Sequence, residues 1–447
     1  MALGALLMGR GRASGGGERW YLSFFFSKLA GGASAPLVPL FVIAVLGGGV
    51  GAVAIAVVSV SAATVPAYIL WGDYSDRTRR RRLPLVVGMA MTSIAFLVMG
   101  MADSMWMFIA GNVMYGFFLA ATVPTSTILI MEHNPEAIWG EAVGRFAKVS
   151  GMGWMTGMAL GAVYFASISH FLPQEPSMRV LMLLCGLSCA IAYALAMFWI
   201  DEPKFHIDRR WLEDHLVTMR TWTFERSRHI PSKLVYALRP RIMRKARTFL
   251  PGWGRDLDMY LVATFILFTG VMVFYVPFPV MLSEELLLTS SQIFLVYLAS
   301  AVAAAAMYAW AGREVDKLGN RKAQLVAWGA RVVIFSAFAL ALAAAGRELF
   351  QVAFGLSLLF NGLAGAMFAV ISVAGITTAL DLSPRRGKGE AVGAYNSVTG
   401  LGMIVGGLLG GVIATVAGYQ AVALVTGAIT FVAVIILLKV HFNRTES

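Results

Sequence analysis

The chain contains about twelve apolar segments, each long enough to cross a lipid bilayer as a helix. They cover residues 20–47, 50–71, 83–102, 105–131, 140–169, 177–200, 257–283, 290–312, 322–346, 348–380, 386–416 and 418–440. A spanning helix needs about 20 predominantly apolar residues, and its backbone groups must find their hydrogen bonds within the segment. Charged residues make up 13% of the chain, against about 25% in a soluble domain. The sequence therefore predicts an all-α integral membrane protein with twelve transmembrane helices.

Two short patterns occur twice, which indicates two similar halves. The stretch Gly72-Asp-Tyr-Ser-Asp76-Arg77 is followed 240 residues later by Gly312-Arg-Glu-Val-Asp316-Lys317, each time where a predicted span ends. Gly140-Glu-Ala-Val-Gly144, near the start of the fifth span, returns as Gly389-Glu-Ala-Val-Gly393 near the start of the eleventh. Two halves fused head to tail are an architecture of secondary transporters. The predicted division is an N-terminal tail, a six-helix bundle, a linker, a second six-helix bundle and a C-terminal tail: 1–19, 20–200, 201–256, 257–440 and 441–447.

Loop cations explain the formal net charge of +12 better than a nucleic-acid-binding surface does. Lys and Arg concentrate in alternate connections, as the positive-inside rule describes for cytoplasmic loops. The sequence therefore predicts a multi-pass protein of the cell membrane with both termini in the cytoplasm. We expect contact with the lipid bilayer, no nucleic-acid partner, and a monomer.

One long polar interruption, residues 201–256, contains thirteen Lys and Arg against seven Asp and Glu. Apolar residues recur at helical spacing in 209–229 and again, among arginines, in 232–250, where Pro240 interrupts the pattern. This arrangement predicts two short helices that lie on the inner headgroups, with their cations near anionic lipid. A flexible basic linker is the alternative, because such compositions are often disordered.

The repeated pattern, written G-x-x-x-D-R/K-x-G-R-R/K, resembles the signature of the major facilitator superfamily. The second copy, Gly312 to Lys322, matches almost fully, whereas Arg79 in the first copy stands where the second has Gly319. The resemblance covers residues 20–440. It implies two six-helix bundles around a central cavity that opens alternately to each side of the membrane. It also implies that the first, fourth, seventh and tenth spans line this cavity.

The same resemblance implies that the repeated pattern is a gate latch. Its aspartate would interact with the positive N-terminal end of a helix in the opposite bundle and hold the cytoplasmic side closed. Asp76 is then expected to face the start of the eleventh span, and Asp316 the start of the fifth. The alternative is that these charges only set the topology. The predicted gate residues are Gly72, Asp76, Arg77, Arg80, Gly312, Asp316, Lys317 and Arg321.

Glycine recurs at every fourth position in the fifth and eleventh spans. The residues are Gly153, Gly157 and Gly161, then Gly402, Gly406 and Gly410. Such a stripe lets another helix approach closely, so close packing is expected. The pattern is similar to that of efflux-type members of the superfamily, although their Gly-Pro step is missing because Trp154 and Met403 follow the glycines.

Lys28 and Arg331 are the ionisable residues that the sequence places deep within spans, where a charge is costly and usually functional. Lys28 is on a cavity-lining span, and snorkelling to the interface is the alternative. Arg331 is on the ninth span, which the family places at the periphery, so we expect it to snorkel or to bond to a carbonyl. No Asp or Glu is predicted mid-span. The candidate substrate-binding residues are Lys28, Asn112, Tyr115, Thr125, Tyr275, Asn361 and Phe368.

These observations favour a secondary transporter that exports a small neutral or anionic amphipathic compound, with or without a coupling ion. A metabolite or sugar importer of the same fold is one alternative. A non-transporting membrane sensor or assembly factor that uses the basic linker is another. The sequence shows no cluster of reactive residues, no HExxH and no Gly-rich phosphate loop, so we expect no enzyme activity, no cofactor and no metal.

Overall fold

The computed structural model describes residues 19–78, 80–134, 139–168, 171–202, 254–345, 349–383 and 388–441, and these residues form helices joined by short connections. The helices are α1 (Tyr21–Ala44), α2 (Val50–Thr78), α3 (Arg82–Gly100), α4 (Met105–His133), α5 (Trp139–Ile168), α6 (Gln174–Trp199), α7 (Arg255–Tyr275), α8 (Phe278–Glu284), α9 (Ser290–Leu318), α10 (Asn320–Ala345), α11 (Phe350–Asp381) and α12 (Lys388–Leu438). No strand occurs in these ranges.

The helices supply the twelve spans that the sequence predicts. Ten helical stretches in the described ranges are long and apolar enough to cross a membrane. One of them, Ala394–Leu438, holds two spans, because α12 is broken at Gly418, whose φ of 79° is in the left-handed region that favours glycine. A further span is α5, which has 30 residues and begins with a charged stretch. The α7 and α8 helices together form the seventh span.

The described helices fall into two compact units, each a bundle with its own core. The first unit contains α1, α2 from Ser59 onward, and α3 to α6. Within it, α1 packs on α5 and α6, and α3 packs on α4 and α6. The second unit contains the start of α2 up to Val58 together with α7 to α12. Here α7 packs on α12, α9 on α11, and α10 on both α11 and α12. The basic segment lies outside the described residues between 203 and 253, so its two predicted helices stay a prediction.

The glycine stripe of α5 brings its backbone against the backbone of α1. A Cβ atom added at Gly153 would overlap the carbonyl oxygen of Phe25, and one added at Gly157 would overlap that of Leu29. The predicted close approach is therefore real in the first unit, and it leaves no room for a side chain larger than hydrogen at either position.

The second unit repeats this contact in the same register. A Cβ atom added at Gly402 would lie 2.6 Å from the carbonyl oxygen of Phe265, and one added at Gly406 would overlap that of Thr269. Phe265 and Thr269 follow Phe25 and Leu29 by 240 residues, while the glycines of α12 follow those of α5 by 249.

A third contact obeys the same two offsets. Gly116 of α4 abuts the carbonyl oxygen of Val60 in α2, and Gly365 of α11 abuts that of Ser300 in α9. The duplication that two sequence motifs indicate therefore extends to which glycine meets which carbonyl. It also defines equivalent positions in the two units: Asn112 corresponds to Asn361, and Lys28 to Phe268.

Candidate functional site

Lys28 lies on the face of α1 that meets α4 and α5. It is the eighth residue of α1 and is half-buried. One turn later, a Cβ atom added at Gly31 would lie 3.0 Å from the Trp154 ring and 3.5 Å from the Tyr115 hydroxyl. Residues three and four apart share a helix face, so Lys28, Tyr115 and Trp154 belong to one neighbourhood. Lys28 and Tyr115 are among the residues predicted from the sequence, whereas Trp154 is not, because in the sequence it stands out only as a departure from the Gly-Pro step.

Asn112 and Thr125 are buried polar residues of α4, each only 1% exposed. The amide nitrogen and oxygen of Asn112 have no hydrogen-bond partner among the described residues, and the hydroxyl of Thr125 has none either. A buried polar group without a partner costs about 1–3 kcal/mol, and native structures contain few of them. Both side chains therefore have unused capacity to bind water or a polar solute.

Asn361, the equivalent of Asn112, is fully engaged in the second unit. Its oxygen accepts a 3.0 Å hydrogen bond from the Tyr275 hydroxyl, and its nitrogen donates a 2.8 Å bond to the carbonyl of Val296. The residue links α7, α9 and α11. Two candidates that look equivalent in sequence thus differ in the structure: Asn361 is a structural link, whereas Asn112 is available.

Arg331 is 2% exposed and points into the second unit. One Nη atom donates a 3.1 Å hydrogen bond to the carbonyl of Ala364. The guanidinium carbon lies 5.7 Å from the ring centroids of both Phe335 and Phe368, within cation–π range. Of the two expectations for Arg331, the carbonyl bond is present, and snorkelling is wrong because the side chain is buried. It also lies beside the candidates Phe368 and Tyr275.

The repeated Gly-Asp pattern lies largely within helices, not in loops. Gly72, Asp76 and Arg77 are in the last turns of α2, and Gly312, Asp316 and Lys317 in those of α9. Their side chains fall outside the described residues, so both latch interactions stay predictions. Two gate residues are described: Arg80 is exposed, and Arg321 donates a 3.0 Å bond to the carbonyl of Leu438.

A buried ion pair supports the connection from α2 to α3. The Arg81 guanidinium lies 3.2 Å from the Glu132 carboxylate near the end of α4, and the two side chains are 2% and 0% exposed. Arg81 also donates a 2.8 Å hydrogen bond to the Ser75 hydroxyl. The backbone N–H groups of Arg81 and Arg82 both donate to the carboxylate of Glu202, which follows α6. The burial of Arg81 was not predicted, because in the sequence it is one of several consecutive arginines in a connection.

The second unit has a weaker counterpart of this network. Asp381, at the end of α11, accepts a 2.5 Å hydrogen bond from the Asn320 amide at the start of α10. The Thr377 hydroxyl donates a 2.7 Å bond to the oxygen of the same amide. In both units, then, a carboxylate at the end of one helix contacts the last part of the repeated pattern.

The sequence profile of the Major Facilitator Superfamily matches residues 20–346 and again 260–446, so together the two matches cover nearly the whole chain. The chain belongs to the Major Facilitator Superfamily. Its two helical units and twelve spans agree with this membership, and with a multi-pass membrane protein.

Two relatives are named as multidrug resistance proteins. The "Multi-drug resistance efflux pump PmrA homolog" of Lactococcus lactis subsp. lactis (strain IL1403) is 27% identical over 137 residues, which are 30% of this chain and 30% of the relative. The "Multidrug resistance protein MdtG" of Serratia proteamaculans (strain 568) is 26% identical over 140 residues, 31% of this chain and 32% of the relative. The matches thus span about a third of the length of these relatives.

A solved superfamily structure shows the same fold over the whole length. The structure of a D-xylose–proton symporter has a TM-score of 0.69 and 13% identity, and the match covers 96% of this chain and 99% of the symporter. At this identity the likeness concerns the fold alone.

Proposed function

We propose that this superfamily member exports a small neutral or anionic amphipathic compound by alternating access. The observation that carries the proposal is the distribution of charge along the helices. Every Asp and Glu in the described helices lies in the first four or last six residues of its helix, whereas Lys28 and Arg331 are the eighth and twelfth residues of α1 and α10. The interior of both units therefore favours negative over positive solutes.

The unpartnered amide of Asn112 adds a neutral hydrogen-bonding group on a helix of the first unit. Trp154 and Tyr115 add aromatic surface near Lys28, which suits a solute with an apolar body. A cationic drug would meet no carboxylate at comparable depth in the described helices.

The proposed direction is export, because two relatives are named as multidrug resistance proteins. Import of a sugar is the second candidate, and the fold shared with a D-xylose–proton symporter supports it. Transport into sealed proteoliposomes distinguishes the solute classes. We expect uptake of an anionic fluorescein derivative above the rate of empty liposomes, and no uptake of ethidium. Uptake of ethidium alone, or of xylose alone, would contradict the proposal.

We further place both termini and residues 201–256 in the cytoplasm of a cell membrane, because cations concentrate there. A cysteine placed at Thr221 tests this orientation with a membrane-impermeant maleimide on intact cells. The native Cys185 and Cys189 are buried, so background labelling is expected to be low. Labelling from outside at the rate of an outer-loop control, Asp103→Cys, would reverse the assignment.

A further inference from the structure

Arg331 has a hydrogen-bonding edge that the second unit leaves unused. The side chain is in the middle of α10 and is 2% exposed. One Nη atom is held by the carbonyl of Ala364, while Nε, which is buried, has no partner among the described residues. A structural arginine at such a depth is normally saturated, because each unmade hydrogen bond of a buried charged group is costly.

No carboxylate of the described chain pairs with Arg331. Of the titratable side chains in the described residues, those of Tyr275 and Tyr308 interact with its charge. Both are uncharged at neutral pH. Among the described residues, the carbonyl of Ala364 and the faces of the Phe335 and Phe368 rings therefore stabilise the positive charge, and a single added negative charge would neutralise it.

The rings beside Arg331 continue into an aromatic cluster, and another unused donor lies one helical turn beyond Phe368. Phe335 and Phe368 flank the guanidinium, and Phe335 continues into the rings of Phe274 and Tyr275 at centroid distances of 4.8 and 6.2 Å. Ser372 lies one turn after Phe368 on the same face of α11. It is 4% exposed, and its hydroxyl has no partner among the described residues.

We propose that Arg331 binds the carboxylate of an organic monoanion whose apolar body lies against Phe335 and Phe368. A guanidinium presents two parallel N–H groups that match the two oxygens of a carboxylate, which a lysine does not. No second cation of the described residues acts on Arg331, and one cation fits one negative charge, and so a monocarboxylate rather than a doubly charged phosphate monoester. This inference rests on the proposed transport of anionic amphipathic compounds and assigns their charged group to the second unit.

Equilibrium binding to the purified full-length protein tests the assignment without any transport assay. The probes are benzoate, 4-phenylbutyrate and indole-3-acetate, each compared with its neutral amide by thermal shift, since a ligand that binds the folded state raises its melting temperature. We expect at least one acid, and none of the amides, to stabilise the wild type. Arg331→Gln is expected to lower the affinity for that acid by about tenfold or more, and Arg331→Lys to lower it by less.

Gln324→Leu is the matched control, because Gln324 is a buried polar residue of the same helix that bonds to Thr378 and to the carbonyl of Ala374. It should lower the melting temperature of the free protein yet leave the response to the acid unchanged. If Arg331→Gln does not yield folded protein, Phe368→Ala is tested instead, because it keeps the cation and removes one of the two proposed apolar contacts. It must then lower the affinity for the acid.

Three outcomes would overturn the assignment: no response of the wild type to any acid, equal responses to acid and amide, or an unchanged response in Arg331→Gln. Failure of the proposed function is distinguishable. If purified protein binds the acid through Arg331 but proteoliposomes show no flux of anions, the binding site stands and the transport proposal falls. If flux of a fluorescein anion persists in Arg331→Gln, the transport proposal stands and the assignment of Arg331 falls.

Discussion

The Arg81 guanidinium and the Glu132 carboxylate form an ion pair 3.2 Å apart in which both side chains are almost fully buried. The pair joins the connection after α2 to the end of α4. Because Arg81 is the last residue of the first copy of the ten-residue pattern that begins at Gly72, the pair anchors the segment that carries the predicted latch. Its stability and the behaviour of that segment should therefore be coupled.

Removing one partner of this pair should be strongly destabilising. Glu132→Leu leaves a buried arginine uncompensated, which costs about 3–5 kcal/mol in comparable cases, and Arg81→Met leaves the buried glutamate in the same position. The double variant Arg81→Met with Glu132→Leu removes both charges and should be less destabilised than either single variant. Melting temperatures of the four proteins form a double-mutant cycle. A double variant whose loss equals the sum of the single losses would show that the pair is not coupled.

The backbone contact between α1 and α5 predicts opposite effects for two glycines of one helix. Gly157→Ala would drive a methyl group into the carbonyl of Leu29, so folded protein should be lost or its melting temperature should fall sharply. Gly151→Ala meets nothing within 4 Å, and should be neutral or stabilising by up to about 1 kcal/mol. Size-exclusion profiles and thermal unfolding compare them. Equal tolerance at both positions would argue against the close packing.

The latch interactions are tested at the two aspartates of the repeated pattern. Asp76→Asn and Asp316→Asn should each slow transport while expression stays near normal, since a charge at a helix end contributes up to about 2 kcal/mol when partly buried. Asp73→Asn, three residues before Asp76, is the control and should transport normally. Wild-type rates in both latch variants would leave these charges with a role in topology alone.

Lys28 is expected to decide the charge preference of the first unit. Lys28→Ala should abolish binding of a solute that the first unit holds through an anionic or hydrogen-bond-accepting group, and Lys28→Arg should restore it only in part, because the two cations differ in shape and hydration. The measurement is solute affinity by thermal shift or calorimetry on purified protein. If Lys28→Ala keeps the wild-type affinity, the lysine snorkels and does not bind the solute.

The two equivalent asparagines should respond differently to the same substitution. Asn361→Ala strands the Tyr275 hydroxyl and the carbonyl of Val296, so it should lower the melting temperature. Asn112→Ala removes no bond within the described chain. It should keep or raise stability and weaken solute binding by about 1 kcal/mol, the value of one neutral hydrogen bond. Similar losses of stability in both variants would contradict the difference.

The spans, the two halves and the close approach along the glycine stripes were predictable. Each depends on a feature that is visible in the sequence itself: the length of an apolar segment, a repeated motif, or the spacing of small residues. The environment of Arg331 was not predictable. Whether its side chain points toward α11 depends on how α10 packs in the folded protein. The same holds for Arg81: nothing in a run of arginines distinguishes the one that meets Glu132. Asn112 and Asn361 differ because their neighbours differ. Asn361 bonds to Tyr275 of α7, and the equivalent residue of α1 is Ala35, which has no hydroxyl group.

The shared register of Gly153 with Phe25 and of Gly402 with Phe265 also constrains how such a chain can change its length. Deleting one residue of α5 between Gly153 and Gly157 would turn the later part of the glycine stripe by about 100° around the helix axis and shift it by about 1.5 Å along the axis. A residue other than glycine would then face the α1 backbone. Insertions and deletions should therefore be tolerated better between such contacts than within them. The nine residues by which the two offsets differ lie there, between Val60 and Gly116 of the first unit and their counterparts in the second.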